Sequence, residues 1–476
     1  MKYDALIVGS GFGGSVCARN LTRDGLRVLI VERGPWRDTL PVRSLGIADR
    51  APLPYGLKLL THGLRNLHAA AGSLMLNRDG MYESFRFRGL DVVCTSSVGG
   101  GSHAYAGLLA KPQNPRYWHG RHPQLEPHDV ERHYDTVLAD LGAVPLTEDL
   151  SENNVWRQLA GLDMFRPSLE QPYVGLLFGA DRATAQREAC RLDGDSFLGS
   201  QSGAKATVDW VYLAPALRSG ARLRERCEVR RLRREDGGFA VDIHDLRTQT
   251  DECLRADRVI LAAGALNSLK LLFGSAADGG LSAMPALGSH FGGNTDSVGL
   301  WRRRGGRLSS FEAPPCLGRF DYDGRNTPYL VLGAFPGVDS LPLPRQLRNR
   351  LRESLAVIAM AADSGTASVR YANGRLRLDY AAAAEPAFAE VQQVFAALAR
   401  ASGTKISTRT RPATVHPWGG ASLGADETCG VVDAHGEVYG NPGLYVADGS
   451  ALPAAPGGPP SLAIAAWAHS VSNRLP

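Results

Sequence analysis

An α/β fold is predicted for this chain, and three features of the sequence predict it. The first is an apolar run, Ala5 to Val8, feeding the turn Gly9-Ser-Gly11-Phe-Gly-Gly14. The second is a helix-like stretch after that turn, then another apolar run from Val28 to Val31 closed by Glu32. The third is Arg255-Ala-Asp-Arg-Val-Ile-Leu-Ala-Ala-Gly-Ala265, a buried-type strand running into a small-residue turn, with a helix expected from Asn267. Strand, glycine turn, helix, strand and acid in that order form a dinucleotide-binding fingerprint. Each residue in it has a mechanical task. Gly9 allows the tight turn, Gly11 lets backbone approach a pyrophosphate, and Gly14 lets the helix pack on the strand. The helix N-terminus offers N–H groups and partial positive charge to phosphates. Glu32, about 20 residues past the glycines, is placed to accept from ribose hydroxyls.

At 476 residues the chain exceeds one ordinary core, so two or three domains are expected. Its 44% apolar and 21% charged content is that of a globular protein. The net charge is +5, but the basic residues are scattered. A cluster such as Arg230-Arg-Leu-Arg-Arg234 has no interleaved aromatics and reads as a solvated face, so no nucleic-acid partner is expected. The seven cysteines are odd in number and contain no CxxC pair, which supports neither a disulfide framework nor a metal site. The first apolar run starts within a few residues of Met1, leaving no room for a signal peptide, and no run is long enough to span a membrane. The expectation is a cytoplasmic protein with no integral membrane segment.

The remaining elements follow in order. Leu57, Leu60, Leu64 and Leu67 lie near helical spacing, which predicts a helix over Gly56 to Leu76, either packed on the domain or forming a lid over an apolar entrance. Ser96 to Gly107 is dense in glycine, as backbone passing close to something flat or anionic would be. Residues 111–200 read as helical and loop-rich. Arg222 to Arg234 and Phe239 to His244 read as strands. Asn373-Gly374 between Ala367–Tyr371 and Arg375–Tyr380 is a hairpin signal, and a helix is expected from Glu385 to Ala401. Asp448 follows the apolar strand Leu444 to Ala447, at the carboxyl end where open α/β sheets bind ligands. Pro459-Pro460 then opens the final helix.

The segments His416-Pro-Trp-Gly-Gly-Ala-Ser-Leu-Gly424, Gly430-Val-Val-Asp433, Gly443-Leu-Tyr-Val-Ala-Asp-Gly-Ser-Ala-Leu-Pro453 and Pro459-Pro-Ser-Leu-Ala-Ile-Ala-Ala466 resemble the glucose–methanol–choline (GMC) family of FAD oxidoreductases, its cholesterol oxidase branch above all. Val98-Gly-Gly-Gly-Ser102 resembles the family's second glycine loop, and Gly203 to Ala214 the stretch that re-enters the FAD domain. Val229 resembles the adenine-side valine, and Leu261 to Ser268 a later signature. The resemblance implies a discontinuous Rossmann-like FAD-binding domain over 1–44, 205–296 and 428–476. It also implies an α+β substrate domain with an antiparallel sheet over 45–204 and 297–427. The residues it assigns to FAD are Gly9, Gly11, Gly14 and Glu32, then Gly99, Gly100, Gly101 and Ser102, then Val229, Ala263 and Gly264, and finally Asp448, Gly449, Pro460 and Ser461.

By the same resemblance, hydride passes from a carbon bearing a hydroxyl to flavin N5 while His416 removes the hydroxyl proton. An imidazole is suited to that transfer near neutral pH. Two positions depart from the family. The histidine or asparagine usual before the final proline is Pro459, which has no side-chain donor or acceptor. The asparagine usual in the second glycine loop is Tyr105, whose hydroxyl is placed either to bond a substrate oxygen or to serve a packed aromatic. The family's flavin-linking histidine falls on Ala104, beside His103, so a non-covalent FAD is expected. The leading expectation is oxidation of a rather apolar, hydroxyl-bearing small molecule, with oxygen, a quinone or a redox protein as electron acceptor. Alternatives are a biosynthetic desaturation, a redox-neutral flavin reaction, or a flavin-binding protein whose catalysis has decayed.

Overall fold

The computed structural model describes residues 2–70, 72–179, 183–190, 195–303, 313–335, 337–409 and 411–475. Strand β1 (Lys2–Val8), helix α1 (Phe12–Arg23) and strand β2 (Val28–Val31) form the predicted opening unit. All four residues of β2 are buried, as expected for a parallel strand covered on both faces. The sheet continues through β3 (Arg222–Arg224), β4 (Cys227–Glu235), β5 (Gly238–Asp245) and β6 (Thr250–Leu261). Its order is β3-β2-β1-β6-β5-β4. Two separate strands replace the single run expected over 222–234, because the chain turns at Arg226, whose φ is +50°. Strand β6 pairs with β5 along its first half and, parallel, with β7 (Leu444–Val446) along Val259 to Leu261. The end of β6 therefore lies between β1 and β7, strands from opposite ends of the chain. Helix α2 (Ala265–Ala277) leaves β6, and helix α3 (Ser461–Ser472) packs against α1.

A second core forms around an antiparallel sheet. Its order is Ile406–Thr408, Ser297–Arg302, Ser354–Met360, Arg325–Gly333, Cys316–Tyr322 and Phe165–Pro167. The helix expected near 385–401 runs Pro386–Ser402 and ends at Gly403 with φ +63°, the left-handed turn glycine permits. Its Val391, Val394, Phe395 and Leu398 recur at helical spacing and are buried against that sheet. The hairpin around Asn373-Gly374 is present as Val369–Ala372 and Arg375–Leu378.

The segment 56–76 corrects the helical expectation. Only Lys58–His62 is helical, and Leu64–Ala69 and Gly72–Met75 are paired strands. Leu57 and Leu60 are each 73% exposed, so the leucine spacing marks no buried face. Leu64–Ala69 is claimed instead by Tyr82–Arg86, which pairs onward with Asp91–Thr95. Partners distant in sequence outweigh local spacing here. The last strand of this small sheet, Ala413–Thr414, lies parallel to Asp91–Thr95. That pairing sends the chain toward Gly99 and the chain toward His416 out in the same direction.

Candidate active site and flavin cradle

The nucleotide end of the site is built by backbone that a side chain would obstruct. Gly9 has φ +96°, and a Cβ there would overlap the Ala262 carbonyl at the end of β6. A Cβ on Gly14 would overlap the Gly9 carbonyl, and one on Gly13 the Ala447 carbonyl at the end of β7. Gly13 is thus a packing glycine that the fingerprint does not single out. Gly11 differs from these: a Cβ there would meet nothing nearer than Gly100 Cα, at 4.0 Å. Only the second loop comes within van der Waals contact of it. Gly100 has φ +50°, and its own Cβ would stand 2.8 Å from Gly11 Cα. Two glycine loops, at Gly11 and at Gly100, face each other with no side chain between them.

The loops are held together by the residues beside them. The Glu32 carboxylate accepts from the Ser10 N–H at 3.0 Å, the Ser10 hydroxyl at 2.8 Å and the Gly34 N–H at 2.7 Å. The Gly99 N–H donates to Ser10 Oγ at 3.2 Å. Ser102 Oγ donates to the Gly99 carbonyl and accepts from the Val208 N–H. A Cβ on Gly101 would meet only Thr95 Oγ1, at 3.8 Å. The Cys227 N–H bonds to the Glu32 carbonyl, which brings the start of β4, with Val229, beside the acid. Across the sheet, Asp448 Oδ2 accepts from the Gly264 N–H at 2.9 Å and from Ser268 Oγ at 2.5 Å. Its other oxygen takes the Ser450 N–H and hydroxyl. Burial pushes the Asp448 carboxyl upward from its usual range, and these four bonds oppose that shift. Asp448 thus joins the ends of β6 and β7, and Ala263 sits in the turn it secures.

Gly449 lies under the histidine loop, where its Cβ would stand 3.2 Å from the Pro417 carbonyl. Pro460 caps α3, and Ser461 Oγ donates to the Leu108 carbonyl at 3.2 Å. His416 is fixed by two contacts. Its N–H donates to Thr414 Oγ1 at 2.8 Å, and its Nδ1 lies 2.9 Å from the Asp296 carboxylate. That carboxylate also accepts from the Thr414 hydroxyl at 2.8 Å and the Val415 N–H at 3.0 Å. A carboxylate accepts only, so Nδ1 carries the proton and Nε2 presents its lone pair. Among the described residues Nε2 has no hydrogen-bond partner.

Asp296 escapes the sequence reading because it lies 120 residues from His416 and belongs to no motif. Pairing of Phe291–Gly292 with Trp418–Gly419 brings the two together. Asp363 supports that pairing by accepting from the Trp418 indole N–H and the Gly293 N–H. Beside Pro459, the Asn294 amide donates to the Gly458 carbonyl and accepts from the Gly457 N–H. Tyr105 is placed differently from a substrate contact. Its hydroxyl donates to the Ala206 carbonyl at 2.6 Å, its ring meets Phe12 edge-on, and burial pushes its phenol well up. Lys205 Nζ lies over that ring and donates to the carbonyls of His103 and Tyr105. Burial lowers its ammonium to about 7. His103 is fully buried, with Nε2 at 2.8 Å from the Val98 carbonyl and 3.4 Å from Asp209.

The donor set fits FAD. With no side chain on Gly11 or Gly100, backbone is left bare for a pyrophosphate beside the two loops. Among the described residues, the buried hydroxyls of Ser97 beside the second loop and Ser422 in the histidine loop lack protein partners, orphaned groups of the kind a bound cofactor satisfies. The architecture and this cradle define a dinucleotide-binding oxidoreductase. Comparisons with known proteins agree. GMC oxidoreductase family models match residues 175–291 and 345–468, and an NAD(P)-binding Rossmann-like domain matches 7–36. A cholesterol oxidase of Mycobacterium tuberculosis is 27% identical across 100% of this chain and 91% of its own length. A long-chain-alcohol oxidase of Arabidopsis thaliana is 23% identical across 100% of this chain and 67% of its own. Among solved structures, pyridoxine 4-oxidase from Mesorbium loti superposes with a TM-score of 0.63 at 17% identity, covering 99% of this chain and 98% of that one. The chain belongs to the GMC oxidoreductase family: it is an FAD-dependent enzyme acting on CH–OH donors. No helix among the described residues is long and apolar enough to cross a membrane.

Proposed function

We propose that this enzyme oxidises a rather apolar, hydroxyl-bearing small molecule to a carbonyl compound, with His416 as the base and FAD held non-covalently. Segments 1–44, 205–296 and 428–476 form the FAD unit, and 45–204 with 297–427 form the substrate unit. Bound FAD supplies acceptance of two electrons as hydride. The protein's share is positional and protonic. Gly11 and Gly100 would admit the pyrophosphate, Glu32 and Val229 would hold the adenosine, and the α3 N-terminus at Pro460 would offer its positive dipole end to the flavin. The observation that carries the reading is the Asp296–His416 pair. Asp296 keeps the proton on Nδ1, so Nε2 is free to take the substrate hydroxyl proton, and the carboxylate then stabilises the imidazolium.

Pro459 leaves His416 without the usual second polar partner, so this base acts alone. The relatives named for cholesterol and long-chain alcohols support an apolar substrate. A desaturation or redox-neutral reaction draws no support from Tyr105, whose hydroxyl is committed to Ala206. The test is anaerobic mixing with a panel of sterols, long-chain alcohols and aryl alcohols, followed by product analysis. The expected result is loss of flavin absorption together with a new carbonyl. Bleaching with a new C=C bond and an intact hydroxyl would overturn the assignment.

A further inference from the structure

A cavity of about 570 Å³ lies between the hairpin 369–378, helix α2 and the strand Tyr82–Arg86, and His416 does not line it. Of the residues proposed to hold FAD it contains none, and it borders the cofactor cradle at Arg33, next to Glu32, and at Asn267, whose amide donates to the Ala263 carbonyl at 3.4 Å. Its walls are basic. Arg86, Lys270, Arg370, Arg375 and Arg377 all line it, and Asp379 is its single carboxylate. Asp379 already pairs with Arg88 at 3.5 Å, and Arg33 is satisfied by Glu83 and Glu228. Among the described residues no carboxylate pairs with the other five cations. Other arginines of the chain hold carboxylate partners, as Arg27 does with Asp4 and Arg226 with Asp49 and Asp79. These five unmatched cations share one concavity, where their field is focused rather than dispersed.

The geometry points to a binding site for a small polyanion carrying two or more phosphate or carboxylate groups. The cations come from three separate segments of the chain and converge on one volume, the arrangement that clamps a compact multivalent anion. Guanidinium forks bind either oxyanion in bidentate fashion. The hydroxyls of Thr366 and Ser368 and the stacked rings of His68 and Phe85, 4.2 Å between centroids, supply a polar edge and a flat wall. An occupant would tie the hairpin 369–378 to α2, the helix that starts at Gly264 in the cofactor cradle. The site is therefore placed to couple anion binding to retention of FAD.

The test is calorimetric titration of the FAD-loaded enzyme with pyrophosphate and with citrate, alongside inorganic phosphate and a polyglutamate peptide. The expected result is 1:1 binding of pyrophosphate, citrate or both, at least tenfold tighter than phosphate and weakened by salt. Arg370→Ser with Arg375→Ser, both exposed beside the hairpin turn, should weaken it about a hundredfold, roughly tenfold for each lost charge-assisted contact. Arg345→Ser with Arg400→Ser, which removes the same charge elsewhere, should leave it unchanged. Binding of pyrophosphate alone or citrate alone tells a phosphate-bearing from a carboxylate-bearing ligand. No binding to the loaded enzyme, binding only when FAD is removed, equal loss in both double variants, or binding of polyglutamate alone would each overturn the proposal.

Discussion

Replacing Asp296 with asparagine tests the proton-handling arrangement at its centre. The carboxylate takes the His416 Nδ1 proton at 2.9 Å, the Thr414 hydroxyl at 2.8 Å and the Val415 N–H at 3.0 Å. An amide of the same shape keeps one acceptor, which Thr414 and Val415 can retain. It then turns N–H groups toward Nδ1, so the ring places its proton on Nε2 and loses the lone pair that faces substrate. Restoring the reactive tautomer sets donor against donor and forfeits a charge-assisted bond of about 1.5–3 kcal/mol. With the lost stabilisation of the imidazolium, the barrier rises by about 3–5 kcal/mol, a drop of roughly 10²- to 10⁴-fold. The assay is anaerobic stopped-flow measurement of flavin bleaching with the best alcohol of the panel, with FAD content and KM measured in parallel. The loss should fall on the bleaching rate, with FAD content and KM close to wild type. Asp296→Asn bleaching within threefold of wild type would refute the reasoning.

Other expectations follow from the same structure. Gly11→Ala should fold with a melting temperature near that of apo wild type, since its Cβ meets nothing closer than 4.0 Å, yet bind FAD at least tenfold more weakly in a fluorescence titration. Gly9→Ala, at φ +96°, should instead destabilise the fold itself, seen as a lower denaturation midpoint. The buried imidazoles of His133 and His469 stack 5.1 Å apart, and burial holds them down at about 4 and about 3. The unfolded chain takes up these protons near pH 6.5 while the native state resists, so stability is fully present above that pH and lost as pH falls toward 4 and then 3. The expected slope is about 1.4 kcal/mol per pH unit for each histidine, and His133→Phe should roughly halve it in denaturant melts from pH 7 to pH 4.5. Lys205→Met strands the His103 and Tyr105 carbonyls and should cost about 2–3 kcal/mol by urea denaturation.

Much of the cofactor cradle was legible because its constraints are local. A glycine turn needs glycine wherever backbones approach within a Cβ radius, and Gly9, Gly14 and Gly100 each meet that condition. Two of the cradle's turns follow strands that announce themselves by burial, Ala5 to Val8 before Gly9 and Val259 to Leu261 before Gly264. Asp296 was not legible, since an aspartate after Gly293-Asn294-Thr295 carries no signature until Phe291 pairs with Gly419. The helix read over 56–76 failed for a related reason: leucine spacing is a local cue, and the partner that makes Leu64–Ala69 a strand begins at Tyr82. Tyr105 was readable as an aromatic in the glycine loop, but the acceptor for its hydroxyl, Ala206, lies 101 residues away.

The most direct measurement of the central claim is the visible spectrum of the purified chain, taken before and after acid denaturation and again on anaerobic addition of alcohol. The account predicts a yellow protein with one FAD per chain, released to the supernatant on denaturation, bleached by alcohol in the wild type and left unbleached in His416→Ala at equal FAD content. A colourless protein that takes up no FAD, or a His416→Ala variant bleached at the wild-type rate, would contradict it.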